Sequence, residues 1–147
     1  MSVIRRVVFD TSSLVGAALK PGSVPHQALM LALARYLVCA SVQTWLELDQ
    51  VMQRDRFDRY LAQPARSGFV AVLRKCMVFF PVTPDDEAAL QPPCRDAMDN
   101  KFLALALVCQ ADVLVSSDED LLVLHPWRDI AVLRPADFIL RAGVGAT

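Results

Sequence analysis

The chain has 147 residues, with 15 lysines and arginines against 16 aspartates and glutamates, which gives a formal net charge of −1. Hydrophobic residues make up 54% of it and charged residues 21%, so the composition excludes a disordered or charge-solvated chain. A chain of this length has room for one ordinary domain with its own core. We therefore expect a single domain over residues 1–140 and a frayed tail over 141–147.

The sequence predicts neither a membrane span nor an export signal. The longest uninterrupted apolar run, Phe102–Cys109, has eight residues, whereas a spanning helix needs about 20. Asp10 interrupts the first apolar run too early for a signal peptide. His26 and His125 stand alone, so no zinc site is expected. The cysteines form no Cys-x-x-Cys pair and are expected to be buried thiols in a reducing cytoplasm; they are Cys39, Cys76, Cys94 and Cys109.

Short apolar strands alternate with helices along the chain. In order, the sequence predicts a strand over 3–9, a loop over 20–25, a helix over 26–35, a strand over 36–40, a helix capped by Ser41, a helix over 65–76, a strand over 77–82, a helix over 99–110, strands over 113–115 and 130–133, and a last helix opened by Pro135. Fully apolar strands are typical of parallel sheets that are buried on both faces. We therefore expect an α/β fold, a three-layer α/β/α sandwich with a short, mostly parallel sheet.

Two of the apolar strands end in carboxylates that adjoin hydroxyl side chains. Val7-Val8-Phe9 leads into Asp10-Thr11-Ser12, and Val113-Leu114-Val115 leads into Ser116-Ser117-Asp118. Ligands of open parallel sheets bind beyond the carboxyl ends of the strands, so Asp10 and Asp118 are candidates for one shared crevice. Each can equally cap the segment that follows it, as aspartate often does. The sequence leaves both interpretations open.

Asp99 and Glu47 are ambiguous in a similar way. Asp99 opens a predicted helix, where the helix dipole stabilises a carboxylate. The run Phe102–Cys109 that follows is apolar on all sides and has to be buried, so the start of this helix is expected to point into the domain or a cleft. Glu47 lies among apolar residues of another predicted helix, and a solvated face remains open for it.

Four converging carboxylates require a neutralising charge. Two unit charges about 5 Å apart repel by roughly 3 kcal/mol at an effective dielectric constant near 20, so several cannot stay ionised together without protons or a cation. Oxygen ligands without histidine or cysteine favour Mg²⁺ or Mn²⁺, ions that activate water for phosphodiester cleavage. We assign no histidine, lysine or cysteine of these motifs as a base, so the expected chemistry depends on the metal.

The order and spacing of these acids resemble a known family. Four segments carry the resemblance: Val-Val-Phe-Asp10-Thr-Ser, Ser41-x-x-Thr-x-x-Glu47-Leu, Cys94-Arg-Asp-Ala-Met-Asp99-Asn-Lys-Phe-Leu-Ala-Leu-Ala106, and Ser-Ser-Asp118-Glu-Asp120-Leu-Leu. Together they resemble the PIN-domain ribonucleases, in the branch of toxins from bacterial toxin–antitoxin systems. The last two segments are the most specific, with Asp118 placed 19 residues after Asp99.

The resemblance implies a function, a site and partners. It implies a metal-dependent endoribonuclease that uses Mg²⁺ or Mn²⁺, acts on RNA, pairs with a second copy of itself and is covered by a cognate antitoxin. The catalytic and metal-binding acids are by this resemblance Asp10, Glu47, Asp99 and Asp118, with Asp120 in a supporting role. Two departures bear on metal affinity and loop geometry: Ala97-Met98 stands where many relatives have Pro-Asp, and Ser116-Ser117 where Thr-Gly is usual. A mean hydropathy of +0.36 also favours self-association.

Other classes of acidic site fit less well. A receiver-type phosphoacceptor domain needs two acids together after its first strand and a late lysine, and no lysine follows Ser116. A phosphatase with an Asp-x-Asp nucleophile is excluded because Thr11 and Ser12 follow Asp10, and no Gly-x-x-x-x-Gly-Lys phosphate loop is present. The strongest alternative is a catalytically silent PIN fold that binds protein or RNA.

The distribution of basic residues bears on the substrate. Setting the four candidate acids aside leaves 15 basic residues against the remaining 12 of the 16 acidic ones. Candidates for contacts along a phosphate backbone are Arg54, Arg56 and Arg59, with Arg74 and Lys75. A solvated surface is the alternative for this group. No aromatic RNA-recognition motif is present, so the sequence predicts no base specificity.

Overall fold

A five-stranded parallel sheet forms the centre of the fold. A computed structural model describes residues 4–144. The strands are β1 (Arg6–Phe9), β2 (Leu37–Ala40), β3 (Val78–Phe79), β4 (Val113–Val115) and β5 (Ala131–Leu133). Their order in the sheet is β3-β2-β1-β4-β5, and each neighbouring pair is parallel. From β1 the chain continues to β2 and β3 on one side, whereas β4 and β5 are added on the other side of β1. The strand order therefore reverses between β1 and β4, and ligands of such sheets bind at this switch point.

Helices cover both faces of this sheet. In the part of the chain that the structure describes they are α1 (Thr11–Leu19), α2 (Val24–Arg35), α3 (Val42–Met52), α4 (Gln63–Cys76), α5 (Pro84–Ala88), α6 (Asn100–Val108), α7 (Glu119–Leu122) and α8 (Pro135–Val144). Two short 3₁₀ turns, Asp55–Phe57 and Ala97–Asp99, precede α4 and α6.

Alternate strand residues point to opposite faces of the sheet and fill two cores. Val7 and Phe9 belong to an apolar cluster with residues of α1, α2, α3, α4 and α8. Val8 belongs to a second cluster, which is built mainly around α6. The predicted three-layer α/β/α sandwich is confirmed, with a sheet that is parallel throughout rather than mostly parallel.

Several local predictions are confirmed by the helix boundaries. Ser41 caps α3, where its hydroxyl and the side chain of Thr44 form a reciprocal capping box. Pro135 opens α8 as predicted. This helix continues to Val144, past the predicted domain end at residue 140, and the rest of the predicted tail, 145–147, lies outside the described residues.

The sequence analysis missed three helices: α1, α5 and α7. The longest of them, α1, has small and apolar residues on most sides and follows β1 directly after Asp10, so its pattern lacks the polar face of a surface helix. The predicted strand over 77–82 is also shorter, because only Val78–Phe79 pair with β2 as a strand. Pro81, which has no N–H to donate, follows two residues after Phe79.

The prediction of buried free thiols is confirmed for three of the four cysteines. Cys39, Cys94 and Cys109 are buried free thiols, but Cys76 is exposed at the end of α4, so the expectation of four buried thiols is wrong for that residue.

Among the helices of residues 4–144, none combines the length and the apolar character that crossing a membrane requires.

Candidate active site

A cavity of about 360 Å³ lies beyond the carboxyl ends of β1 and β4. These strands pair in register, with Phe9 beside Val115, so the residues that follow them emerge at the same edge of the sheet. The cavity is lined by all four candidate acids: Asp10, Glu47, Asp99 and Asp118. The fold therefore brings together carboxylates from four separate segments of the sequence.

Asp10 both caps α1 and lines the cavity. Its Oδ1 accepts hydrogen bonds from the backbone N–H of Ser13 at 2.9 Å and the hydroxyl of Ser12 at 3.3 Å. Its Oδ2 accepts from the hydroxyl of Ser116 at 2.5 Å. Burial raises the pKa of the Asp10 carboxyl, and the hydrogen bonds from the three serines oppose that rise. Capping and a place in the site, which the sequence left as alternatives, are compatible for this residue.

The buried hydroxyl of Ser116 joins two of the acids. While it donates to Asp10, it accepts from the backbone N–H of Asp118 at 3.0 Å. Asp118 Oδ1 in turn accepts from the backbone N–H of Asp120 at 2.9 Å and caps α7. The Ser116 hydroxyl thus contacts the carboxylate of Asp10 and the backbone of Asp118.

Asp99 has the least satisfied carboxylate of the four. It ends the 3₁₀ turn before α6, and its buried Oδ2 is reached by no hydrogen-bond donor among residues 4–144. Burial, followed by a hydrogen bond to Asp118 and the charges of Asp118, Asp96 and Asp10, raises the pKa of the Asp99 carboxyl to about 7. With a pKa of about 7, the Asp99 carboxyl is protonated in about half of the metal-free molecules at neutral pH.

This shift predicts how stability changes with pH when divalent cations are chelated. The ordinary pKa of the Asp99 carboxyl is 3.8, and in the folded protein it is about 7, so the folded state binds more protons between these values. The Asp99 contribution to the free energy of unfolding is therefore expected to fall across that range as pH rises. Thermal melts in EDTA at about pH 5 and about pH 8 check this, since the decrease between them should be smaller for Asp99→Asn than for the wild type. Equal decreases would show that Asp99 does not titrate in this range.

Glu47 is neutralised by Lys101, a residue that the sequence analysis did not place in the site. Lys101 Nζ donates to Glu47 Oε1 at 2.7 Å, and the hydroxyl of Thr11 donates to Oε2. The two side chains of the ion pair are only 16% and 22% exposed. The sequence analysis assigned no lysine of these motifs as a base and did not anticipate this ion pair. The available signal was position, because Lys101 lies two residues after Asp99 in the most specific motif.

Asp120 does not join the other acids at the cavity. Its carboxylate accepts from the guanidinium of Arg95, with Nε at 2.8 Å, and it is not among the residues that line the cavity. Its backbone N–H binds Asp118, and its carbonyl accepts from the Cys94 thiol. Asp120 therefore orders the segment after β4 and stays a predicted supporting residue.

The donor set of the cavity fits a hard divalent cation in its chemistry. The candidate ligands are carboxylate oxygens, and the buried Oδ2 of Asp99 has unused acceptor capacity. Within the described range 4–144, however, no three histidine, cysteine, aspartate or glutamate side chains are grouped closely enough to hold a metal ion as they stand. Part of the negative charge is already balanced internally, because Glu47 is paired with Lys101.

Only some of the candidate phosphate-binding residues reach the cavity. Arg54 and Arg56 line it, together with the acids. Arg59 is exposed outside it, and Arg74 and Lys75 line a separate groove beside α4. The predicted basic group is therefore divided by the fold into two surfaces.

The sequence matches the family model of the PIN domain over residues 6–120, a range that includes all four acids and Asp120. The chain belongs to the PIN-domain family. A comparison with curated protein sequences finds no match.

The fold of this PIN domain is similar to solved structures of low sequence identity. PAE2754 from Pyrobaculum aerophilum is 12% identical, with a TM-score of 0.65 over 97% of this chain and 99% of that one. VapBC2 from Rickettsia felis, solved bound to a promoter DNA fragment, is 11% identical, with a TM-score of 0.62 over 86% and 96%. VapC20 from Mycobacterium tuberculosis, described as a sarcin-ricin loop cleaving toxin, is 16% identical, with a TM-score of 0.56 over 85% and 98%. At these identities the similarity establishes the fold.

Proposed function

We propose that this PIN domain is a metal-dependent endoribonuclease that hydrolyses RNA phosphodiester bonds with Mg²⁺ or Mn²⁺. The observation that carries the proposal is the convergence of Asp10, Glu47, Asp99 and Asp118 on one cavity. The match to the PIN-domain family over the range that contains these acids supports it. In this proposal the four acids are both the metal-binding and the catalytic residues.

The four acids contribute differently to such a site. The Ser116 hydroxyl holds the Asp10 carboxylate, and the backbone N–H of Asp120 holds that of Asp118, so oxygens of both acids are preorganised. Asp99 contributes a buried oxygen that no donor engages, and Glu47 contributes a carboxylate whose charge Lys101 balances. When bound, the cation would lower the pKa of a water molecule and stabilise the charge that develops on the scissile phosphate.

We propose further that the chain is the toxin of a bacterial toxin–antitoxin pair. VapC20, to which its fold is similar, is described as a toxin that cleaves the sarcin-ricin loop. The expected partner is a cognate antitoxin, and a gene for a small DNA-binding protein next to the gene for this chain would support that partner. The four free cysteines suit a reducing compartment, so a cytoplasmic location is part of the proposal.

A homodimer is the expected form of the protein in solution. The mean hydropathy is +0.36, and large apolar side chains such as Val123 and Leu140 are 67% and 68% exposed. Light scattering at tens of micromolar is expected to detect a particle of about twice the 16.2 kDa chain mass. A particle of the chain mass itself would contradict the dimer.

A catalytically silent binding module is the second candidate. It is favoured by the Lys101–Glu47 ion pair and by the lack, within residues 4–144, of three ligand side chains already grouped around one point. Such a module would bind RNA or protein through the same face without cutting.

Cleavage of single-stranded RNA in Mn²⁺, in Mg²⁺ and in EDTA distinguishes the two functions. We expect cleavage with either ion and none in EDTA, because the proposed mechanism takes its attacking hydroxide from a metal-bound water. An Asp118→Asn variant purified in the same way controls for contaminating ribonuclease and should be inactive. Cleavage that persists in EDTA contradicts the metal-dependent mechanism, and binding without cleavage under every condition favours the silent module.

A further inference from the structure

The segment over residues 53–62, which connects α3 to α4, forms part of the cavity wall and supplies its basic side chains. Arg54 and Arg56 are the two basic residues among those that line the cavity, and Phe57, from the same segment, lines it as well. Phe57 is buried and belongs to the core on that face of the sheet. The segment therefore carries positive charge to a cavity whose other charged lining residues are carboxylates.

Arg66, from the first part of α4, holds this segment in place. Its side chain is completely buried, and its Nε donates to the carbonyl of Met52 at 2.7 Å. One terminal nitrogen donates to the carbonyl of Leu61 and to Asp58 Oδ1 at 2.9 Å, and the other to the carbonyl of Arg54 at 3.4 Å. One guanidinium thus ties both ends and the interior of the connection together, a role that needs the planar fork of arginine.

The two cavity arginines are left available for an anion. Asp58, the acid of this segment that forms an ion pair, is engaged by Arg66. The ion pairs found among residues 4–144 involve neither Arg54 nor Arg56. The guanidinium of Arg56 lies over the ring of Phe57 at 4.9 Å, and both residues line the cavity.

We propose that Arg54 and Arg56 form a phosphate-binding subsite for the RNA strand beside the carboxylate cluster, and that Arg66 is the positioning residue of this subsite. The inference rests on the proposed ribonuclease function, because the subsite would bind the RNA strand that the four acids cut. A strand whose scissile phosphate lies at the four acids carries further phosphates along its backbone, and unpaired guanidiniums in the same cavity match them. Fixing the segment beforehand lowers the entropy lost when the strand binds.

Binding of a labelled single-stranded RNA in Mg²⁺ tests the subsite, in an Asp10→Asn background that prevents cleavage. Three substitutions each remove one positive charge from the same segment: Arg54→Gln, Arg56→Gln and Arg59→Gln. The first two are expected to weaken binding about threefold to tenfold and to reduce the slope of log affinity against log salt by about 0.7 each. Arg59, which lies outside the cavity over the ring of Tyr60, is the matched control and should change neither quantity.

Combining an Arg66 substitution with substitutions of Arg54 and Arg56 tests whether Arg66 acts on RNA binding through these two residues. Arg66→Lys keeps the positive charge but loses the planar guanidinium with its several donors. It is expected to weaken RNA binding when Arg54 and Arg56 are present, and to weaken it much less when both are replaced by glutamine. A purely structural role would lower only the melting temperature. If Arg66→Lys does not fold, Asp58→Asn weakens the same anchor at its exposed end and should give the same non-additive pattern more mildly.

The outcomes separate this inference from the proposed function. Equal effects of the Arg54, Arg56 and Arg59 substitutions overturn the subsite, even when the wild type cleaves RNA in a metal-dependent way. Selective loss of binding with Arg54→Gln and Arg56→Gln supports it, even when the wild type proves unable to cleave. A wild type that binds no single-stranded RNA overturns it as well.

Discussion

Asp10→Asn is expected to lower RNA cleavage at least about a hundredfold, equivalent to about 2.7 kcal/mol of transition-state stabilisation. Asparagine keeps the shape and the helix-capping ability of Asp10 but removes one negative charge from the proposed ligand set. The backbone contact from Ser13 to the side-chain oxygen at 2.9 Å is compatible with an amide, so the fold should be retained. Initial rates on single-stranded RNA at matched Mn²⁺ measure the loss.

Asp120→Asn is the control for this substitution. It removes the same charge from a neighbouring segment, but Asp120 lies outside the cavity and binds Arg95, so its loss of activity should be much smaller. In EDTA, Asp10→Asn should melt at the wild-type temperature or slightly higher, because burial already disfavours the charged carboxylate. Equal cleavage by the wild type and Asp10→Asn would show that the acids act as caps and that the activity lies elsewhere.

Lys101→Met is expected to tighten Mn²⁺ binding on the order of tenfold to a hundredfold and to lower the melting temperature in EDTA. Two charges about 4 Å apart interact by about 4 kcal/mol at an effective dielectric constant of 20, and partial exposure of the pair reduces this. The Lys101 ammonium lies 2.7 Å from Glu47 Oε1, so it repels a dication at this carboxylate and also stabilises the metal-free acids. Calorimetric titration with Mn²⁺ and melts in EDTA give the two quantities.

Two further variants show whether the effect belongs to the charge at this position. Lys101→Arg keeps the positive charge and should leave Mn²⁺ affinity near that of the wild type. Arg134→Met breaks the exposed pair between Arg134 and Glu119, neither of which lines the cavity, and should change neither affinity nor melting temperature appreciably. Weaker Mn²⁺ binding by Lys101→Met would mean that Lys101 holds Glu47 in place instead of competing with the ion.

The architecture was predictable from local patterns, because apolar strands alternating with helices indicate a parallel sheet. The ends of such strands share one edge, which made Asp10 and Asp118 candidates for one crevice but left capping open. The grouping of all four acids was implied by the family resemblance. The capping of α3 by Ser41 needed only its own segment. The helix α1 was missed because its residues are small and apolar on most sides, so no polar face marked it as a helix.

The sequence by itself determined the strands, several caps, the order of the acids and the family, since these depend on residues near each other in the chain or on a linear motif. Only the tertiary structure decided which charges meet: Lys101 pairs with Glu47, 54 residues away, and the buried Arg66 gathers the segment that brings Arg54 and Arg56 to the cavity. The raised pKa of the Asp99 carboxyl is likewise decided only by the tertiary structure. Desolvation and Coulomb energies depend on how distant segments pack, and no local pattern in the chain encodes those distances.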